Sequence, residues 1–221
     1  MNAPVITLVL LGGGGHAKML IEIVRLRGRA CLTGILDADR AKWGLEIMGV
    51  PVLGGDDLLP SLVAKEVTHF AVGLGSIRDN GPRRRLFELG VACGLTPITL
   101  VHPSSIVSAE AALGEGAQLL PGCIVNAGAW IGRNALINSA AAVEHDCTIG
   151  DHAHIATGAR LASTVHVEEE AHIGAGATIR QCLRIGRGAV VGAGAVVVAD
   201  VPAGWVVVGV PARRLMQGGR A

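Results

Sequence analysis

The sequence has very few aromatic residues: two Phe, three Trp and no Tyr in 221 residues. Large aromatic rings supply much of the buried area in an ordinary globular core. Without them the interior must be filled by smaller aliphatic side chains, and half of the residues are hydrophobic. Together with 32 glycines, this composition favours a narrow interior built in regular layers.

An excess of charge is also missing, because the net charge is only +1. A nearly neutral chain has no general attraction to nucleic acid or to an anionic membrane, so neither partner is expected. The five cysteines contain no CxxC pair, which indicates a reducing compartment and no zinc knuckle. No apolar run is long enough to cross a bilayer uninterrupted. These absences predict a cytoplasmic protein without a metal site.

Internal repetition is the strongest positive signal in the sequence. In steps of six from Val107 to Val197, every position is aliphatic, and four residues after each one, from Ala111 to Val201, every residue is small or aliphatic. A period of six fits neither a helix nor a simple alternating strand. It is typical of a triangular prism in which each hexapeptide forms one short strand and one corner. We therefore predict a left-handed parallel β-helix from about Val101 to Pro202, whereas an ordinary sandwich would show no such register.

The first hundred residues have a different pattern, in which apolar strands alternate with amphipathic helices. Such alternation predicts a small parallel α/β sheet. The predicted elements are a strand at Ile6–Leu11, a helix at Met19–Leu26, a strand at Cys31–Asp37, a strand at Thr68–Gly73, a helix at Pro82–Cys93 and a last strand at Pro97–Val101. The chain is thus divided into a Rossmann-like domain, residues 1–100, and a β-helix domain with a C-terminal cap, residues 101–221.

The glycine run after the first strand has the composition of a phosphate-binding turn. The backbone N–H groups of Gly13, Gly14 and Gly15, with the start of the next helix, can surround a phosphate. Asp37 follows at the spacing of an acid that contacts a ribose or a base edge. A tight turn that needs glycine for steric reasons alone is the alternative. A dehydrogenase is disfavoured because the α/β unit lacks a second mononucleotide half.

Three segments together resemble one enzyme family. They are the Gly-Gly-His-Ala sequence at 14–17, the stretch from Asn138 to Ala159 around Glu-His-Asp-Cys, and the ending Gly-Val-Pro-Ala at 209–212. In these segments the chain is similar to the sialic acid O-acetyltransferase and UDP-bacillosamine N-acetyltransferase family of hexapeptide-repeat enzymes. The resemblance covers essentially the whole chain. It implies a homotrimer with acetyl-CoA between neighbouring prisms and a nucleotide-linked sugar on the N-terminal domain.

The same resemblance implies roles for individual residues. Acyl transfer needs a base for the nucleophile's proton, and His145 matches the family's catalytic base, with Glu144 or Asp146 as the carboxylate that orients its ring. The family often has Glu where this chain has Asp146. His154 matches the histidine that contacts the thioester region of acetyl-CoA, and His16 matches the histidine of the acceptor-binding turn. The other candidates are Ser163, Gly174 and Arg213 for the cofactor, and Gly13, Gly14, Gly15, Asp37 and Gly75 for the substrate.

The remaining cysteines and histidines of the repeat are expected to be structural. Cys123 and Cys147 fall on the small inward position of their repeats, where a neutral buried thiol is inert. Without a nucleophile, the reaction is expected to be a direct attack in a ternary complex. His152, His166 and His172 are expected at the surface.

The acceptor that we predict is a UDP-linked 4-amino sugar, which would be N-acetylated; O-acetylation of a sugar of the sialic acid type is the alternative. A gamma-class carbonic anhydrase uses the same prism with zinc on three histidines, and His154 and His172 lie one coil apart, where they would stack at one corner. A non-catalytic scaffold is a further possibility. Neither accounts for the Glu-His-Asp segment together with the α/β unit.

Overall fold

A computed structural model describes residues 6–215 of the chain. The chain divides into two compact units. The first contains Met1–Ser76 and Gly81–Pro103, and the second contains Ile77–Asn80 and Ser104–Ala221. Within the described residues, no helix is both long and apolar enough to cross a membrane.

The first unit is a mainly parallel sheet with helices. Its strands are β1 (Ile6–Leu11), β2 (Ala30–Leu36), β3 (Glu46–Ile47), β4 (Val50–Gly54), β5 (His69–Val72) and β6 (Thr96–Pro97), followed by β7 (Leu100–Val101). Its helices are α1 (Gly15–Arg27), α2 (Leu59–Ala64) and α3 (Gly81–Ala92). The strand order is β3-β4-β2-β1-β5-β6, and only the β3–β4 pair is antiparallel.

The centre of this sheet is buried, which explains the unbroken apolar run of β1. Leu8, Leu10 and Leu11 have no exposed surface, as expected for a parallel strand covered on both faces. Helix α1 contributes a buried stripe that includes Leu20 and Ile21. The carboxyl end of β1 therefore delivers the glycine turn and the start of α1 at the edge of a rigid core.

One prediction for this unit is wrong, and two of its elements were missed. The segment from Pro97 to Val101 is not one strand, because the ladder to β5 ends after the Ile98 N–H bonds to Phe70 O, so β6 and β7 are separate. The β3–β4 hairpin and α2 were not predicted. The hairpin turns at Met48 and Gly49, both with positive φ. Such a turn is usually marked by Asn-Gly or Asp-Gly, and Met-Gly carries no such signal.

The second unit is a prism of two-residue strands that recur every six residues, with the interior built as the hexapeptide period predicts. The strands are β8 (Ile106–Val107), β9 (Ala112–Leu113), β10 (Gln118–Leu119), β11 (Ile124–Val125), β12 (Trp130–Ile131), β13 (Leu136–Ile137), β14 (Ala142–Val143), β15 (Thr148–Ile149), β16 (His154–Ile155), β17 (Arg160–Leu161), β18 (His166–Val167), β19 (His172–Ile173), β20 (Thr178–Ile179), β21 (Arg184–Ile185), β22 (Val190–Val191) and β23 (Val196–Val197), then β24 (Val206–Val208) and β25 (Arg213–Arg214).

Every third strand belongs to the same flat sheet. One sheet contains β8-β11-β14-β17-β20-β23, a second β9-β12-β15-β18-β21, and a third β10-β13-β16-β19-β22-β24-β25, with only the β24–β25 pair antiparallel. From Leu119 to Val197, each aliphatic residue of the six-residue series is at most 1% exposed. Stacked coils thus form a continuous aliphatic core without large rings.

The corners of the prism use left-handed backbone at regular intervals. Every sixth residue from Gly116 to Gly194 has a positive φ. Half of these positions hold residues other than glycine, Asp146 among them, and their conformational cost is offset by stacking in the coil. A second series of glycines is needed because adjacent coils pack too closely to leave room for a Cβ atom. A Cβ on Gly150, for instance, would lie 2.5 Å from Glu169 N in the next coil.

Candidate active site

His145 lies at a corner of the prism, between β14 and β15, with 58% of its side chain exposed. Its Nδ1 is 2.7 Å from Oδ2 of Asp146. A carboxylate only accepts, so the ring is held with its proton on Nδ1 and with the Nε2 lone pair free to take a proton. This is the arrangement of a histidine general base with an orienting acid.

Glu144, the other candidate for orienting His145, is engaged elsewhere. Its Oε2 accepts a hydrogen bond of 2.8 Å from Nδ2 of Asn126, one coil earlier. The sequence left open which carboxylate contacts the imidazole. In the structure this carboxylate is Asp146, whose short side chain extends from a left-handed residue next to the ring.

The three cofactor candidates Ser163, Gly174 and Arg213 have different environments. Ser163 lies one coil after His145 at the same corner and is half-buried. Gly174 has a packing role, because a Cβ there would lie 2.6 Å from Ala193 N. Arg213 is exposed and its Nη1 donates to the carbonyl of its neighbour Ala212. The adjacent Arg214 is exposed too, and its guanidinium lies over the Trp205 ring at 4.3 Å from the ring centroid.

Two of the three repeat histidines predicted at the surface differ from expectation. His172 and His152 are buried, with 8% and 7% exposure, so the prediction that they lie at the surface is wrong; only His166 is exposed. His152 contacts the Asn134 amide at 3.0 Å, which satisfies a buried ring nitrogen. His154 and His172 stack on a flat face of the prism, in β16 and β19, and not at a corner.

The glycine turn joins β1 to α1 with two close backbone approaches. Gly12 has a φ of 101° and its N–H bonds to Leu36 O at 2.7 Å. A Cβ on Gly73 would lie 2.2 Å from Gly12 O, so β5 and the turn can approach only through glycine. By contrast, a Cβ on Gly14 or Gly15 would meet nothing within 4 Å. Open space therefore lies over the start of α1, where helix N–H groups favour an anion.

His16 and Gly75 lie next to each other beside this open space. A Cβ on Gly75 would be 3.5 Å from His16 Cβ. The structure thus brings two predicted acceptor residues together from different strand ends. Because the carboxyl ends of β1 and β5 are neighbours in the sheet, this is the edge at which α/β sheets bind ligands.

Asp37, which follows β2, is hydrogen-bonded to the backbone of the glycine turn. Its Oδ2 accepts from Gly13 N at 2.7 Å and from Lys42 Nζ at 3.0 Å, and its Oδ1 accepts from Asp39 N at 2.8 Å. Burial disfavours the charged carboxylate, but the hydrogen bonds from Asp39, Lys42 and Gly13 outweigh it and hold the pKa of Asp37 below its usual value. A fixed carboxylate at this position leaves further lone pairs for a ligand hydroxyl.

We expect Asp37→Asn to destabilise the protein at neutral pH by about 1–3 kcal/mol, because a buried charge-assisted network is lost. A lowered folded-state pKa gives stability that is present above the unfolded pKa and lost as pH falls through the folded pKa. The difference between the wild type and Asp37→Asn should therefore shrink as the pH drops below about 4. Denaturant unfolding at neutral and acidic pH measures it, and a constant difference would contradict the assignment.

Two residues at this site were missed from the sequence. Lys42 pairs with Asp37, and Nε1 of Trp43 donates to Asp37 O at 2.8 Å. Both follow the acid within six residues, just after the strand. The only sequence signal was a cation and an exposed aromatic next to a predicted strand end, which is too common to single out a site.

The predicted inward thiols are confirmed as packing residues. Cys123 and Cys147 have no exposed surface. Burial raises the pKa of both thiols, which keeps them neutral and poorly nucleophilic. All five cysteines are free.

Comparison with known proteins finds two family matches. Residues 7–89 match the PglD N-terminal domain, and residues 128–163 match the bacterial transferase hexapeptide (six repeats). A curated relative, the UDP-N-acetylbacillosamine N-acetyltransferase of Bacillus subtilis, is 35% identical over 117 residues, and this match spans half of each chain.

Solved structures match over nearly the full length. PerB from Caulobacter crescentus, in complex with CoA and GDP-perosamine, is 38% identical, with 98% of this chain and 100% of PerB covered and a TM-score of 0.89. The acetyltransferase domain of PglB from Neisseria gonorrhoeae is 35% identical, with 95% and 99% covered and a TM-score of 0.87. It has also been solved with acetyl coenzyme A.

A small α/β unit followed by a hexapeptide-repeat prism with a corner His–Asp pair defines an acyltransferase of the left-handed β-helix class. The chain belongs to the sugar acetyltransferase family that includes PerB, the PglB acetyltransferase domain and the B. subtilis N-acetyltransferase. The predicted fold class, family and acyltransferase activity are thereby confirmed, and the carbonic anhydrase alternative is wrong. In residues 6–215, no group of three His, Cys, Asp or Glu side chains is placed to hold a metal.

Proposed function

We propose that the protein transfers the acetyl group of acetyl-CoA to the amino group of a sugar carried on a nucleoside diphosphate. The observation that carries this proposal is the His145–Asp146 pair, whose Nδ1 to Oδ2 contact leaves Nε2 as a proton acceptor at an exposed corner. The relatives support the substrate classes, since PerB has been solved in complex with CoA and GDP-perosamine.

In the proposed reaction, His145 Nε2 takes a proton from the sugar amine as its nitrogen attacks the thioester carbonyl carbon. The new C–N bond forms first, and the C–S bond then breaks as the tetrahedral intermediate collapses. The imidazolium of His145 is stabilised by Asp146 and returns its proton to the departing thiolate. The products are an amide and free CoA, and no covalent enzyme intermediate is formed.

The acceptor nucleotide is proposed to bind at the glycine turn. Its diphosphate would lie over the N–H groups of Gly14 and Gly15 at the start of α1, with His16 and Gly75 at one side, whereas the predicted Gly13 contact is limited to the backbone turn because its N–H is bonded to Asp37. Asp37, at the end of β2, would meet the ribose or the base. The relatives use different nucleotides, GDP in PerB and UDP in the B. subtilis enzyme, so UDP is the predicted carrier and GDP is tested beside it.

The acetyl-CoA site is proposed on the prism. His154 and Ser163 would contact the acetyl and pantetheine end, and Arg213 and Arg214 offer exposed cations to the CoA phosphates. Gly174 stays in this set as a backbone position, although its packing explains it without a ligand. A homotrimer with active sites between subunits and a cytoplasmic location are proposed as well, and five unpaired cysteines support a reducing compartment.

The direct test is thiol release from acetyl-CoA with a panel of UDP- and GDP-linked amino sugars and free sialic acids. Release with a nucleotide amino sugar, yielding a product whose acetyl group resists mild base, is expected. A base-labile acetyl group would indicate an ester and hence O-acetylation. Tight acetyl-CoA binding without release by any nucleotide amino sugar would reject the acceptor class.

Direct attack predicts that the buried thiols are dispensable. We expect Cys147→Ala to keep most of kcat and to show no labelled protein after incubation with radioactive acetyl-CoA, because Cys147 packs in the prism and cannot reach solvent. Cys123→Ala, at the same inward position four repeats earlier, is the matched control. Acetylated protein in the wild type that disappears in Cys147→Ala would contradict direct transfer.

A further inference from the structure

Arg83, in the first turn of α3, is the largest fully buried side chain among residues 6–215. Its Nη1 donates to Leu74 O at 2.7 Å and to Val72 O at 3.3 Å. These two acceptors are main-chain carbonyls at the carboxyl end of β5, one on either side of Gly73. Arginine is almost never fully buried unless its charge is paired or hydrogen-bonded. The buried guanidinium therefore fixes the main chain where β5 ends.

The main chain that Arg83 holds is packed against the glycine turn. Gly73 N–H donates to Leu11 O at 2.7 Å, and a Cβ on Gly12 would lie 3.1 Å from Leu74 N. Any displacement of Leu74 would therefore change the contact with the turn. Because one of the carbonyls bound by Arg83 belongs to Leu74, the guanidinium fixes this packing from the side of β5.

The charge of Arg83 also bears on the open space over the start of α1. Burial lowers the pKa of Arg83 to about 9, so its guanidinium is still charged at neutral pH. A carbonyl oxygen carries partial negative charge and repels a phosphate, and a cation bonded to two such oxygens offsets that repulsion. Gly75, the residue after Leu74, lies beside His16 at this open space. The cation is thus bonded to the chain segment that borders the proposed diphosphate site.

We propose that Arg83 is a positioning residue for the nucleotide-linked acceptor, which holds residues 73–75 against the glycine turn and offsets the negative charge of two carbonyls beside the diphosphate. The inference rests on the proposed function for the location of the diphosphate. Asp37 holds the same turn from the side of β2, so both neighbours of β1 contribute an anchor. Arg83 acts on binding of the acceptor and not on proton transfer at His145.

Two variants of Arg83 separate positioning from general stability. Arg83→Met removes the charge and both hydrogen bonds, so KM for the acceptor and Kd for UDP or GDP should rise by about tenfold to a hundredfold, the factor that corresponds to a charge-assisted hydrogen bond. Arg83→Lys keeps a cation that can donate to carbonyls and should recover most of the loss. Both kcat at saturating acceptor and KM for acetyl-CoA should stay unchanged.

Arg85→Met is the matched control, because Arg85 is an exposed residue of the same helix. It should alter neither KM nor Kd. A lower kcat in Arg83→Met with an unchanged acceptor KM would show that Arg83 only maintains the amount of folded enzyme, and it would overturn the proposal. Equal losses of nucleotide affinity in Arg83→Met and Arg85→Met would overturn it as well.

A measurement on the wild type does not depend on whether Arg83→Met folds. Full-length protein labelled with ¹⁵N-arginine is titrated with UDP, GDP and acetyl-CoA, and the Nε–H signal of Arg83 is assigned by correlation to its backbone. The signal should exchange slowly with solvent, because the side chain is buried. It should shift with a nucleotide that binds and stay in place with acetyl-CoA. A bound nucleotide that leaves this signal unmoved would contradict the proposal.

Nucleotide binding and acetyl transfer are measured separately, so that each proposal can fail by itself. Nucleotide affinity that depends on Arg83, in a protein that acetylates no amino sugar, upholds the role of Arg83 and rejects the proposed function. Acetyl transfer with the same acceptor KM in the wild type and Arg83→Met upholds the proposed function and rejects the role of Arg83. Failure of both UDP and GDP to bind the wild type would overturn both.

Discussion

Replacement of His145 with Gln is expected to lower kcat by about 10² to 10⁴, the contribution of a positioned general base. Glutamine keeps a polar side chain of similar reach but cannot accept and return a proton. The His145 side chain is exposed and bonds to the equally exposed Asp146, so the midpoint of thermal unfolding should change little. Thiol release from acetyl-CoA at saturating acceptor measures the effect.

Two neighbours provide controls for His145→Gln. Asp146→Asn leaves the base in place but loses the carboxylate that orients it, so a smaller loss of kcat is expected. Glu144→Gln should have the least effect, because Glu144 contacts Asn126 and not the imidazole. The reverse order, with Glu144→Gln more damaging than Asp146→Asn, would show that the ring is oriented differently in the working enzyme.

Substitution of two glycines at the α/β turn is expected to separate packing from ligand binding. Gly73→Ala puts a methyl group 2.2 Å from Gly12 O, which must displace backbone and should destabilise the fold by about 1–3 kcal/mol or more. Gly15→Ala meets nothing within 4 Å and begins a helix, so it should leave stability unchanged or raise it by up to about 1 kcal/mol. If a diphosphate occupies the space over Gly15, the added methyl group should raise KM for the nucleotide sugar.

Unfolding midpoints and acceptor KM values of the two glycine variants are compared with those of the wild type. KM for acetyl-CoA in Gly15→Ala is the internal control and should not change, because the substitution lies in the other unit. A Gly15→Ala protein with normal acceptor KM would move the nucleotide away from the start of α1. A stable Gly73→Ala protein would show that β5 and the turn can separate without cost.

The sequence predicted the prism well because its period is enforced at every step. Each coil buries one aliphatic residue per face, so the pattern from Leu119 to Val197 has no exception. The left-handed corners were less visible, because half of them are not glycine. Left-handed backbone at residues such as Thr164 and Glu170 is unfavourable by itself, and stacking between coils offsets this cost. Because the compensation comes from neighbouring coils, the sequence around each residue does not indicate it.

The sequence motif located the candidate active site, but the contacts between its side chains could be read only from the structure. The histidine and its two flanking acids were identifiable from Glu-His-Asp, but only the structure shows that Asp146 contacts the ring and that Glu144 is bonded to a residue 18 positions earlier. The burial of His152 and His172 was missed for a related reason. Both occupy outward or corner positions of the repeat, and hexapeptide periodicity reports only which residues face the interior.

Mass spectrometry of the nucleotide sugar after incubation with isotopically labelled acetyl-CoA tests the central claim most directly. The account predicts that a UDP- or GDP-linked amino sugar gains one labelled acetyl group on nitrogen, that CoA is released in equal amount, and that His145→Gln prevents both. Labelled acetyl on a hydroxyl group or on the protein, or no transfer to any nucleotide-linked amino sugar while acetyl-CoA binds, would contradict it.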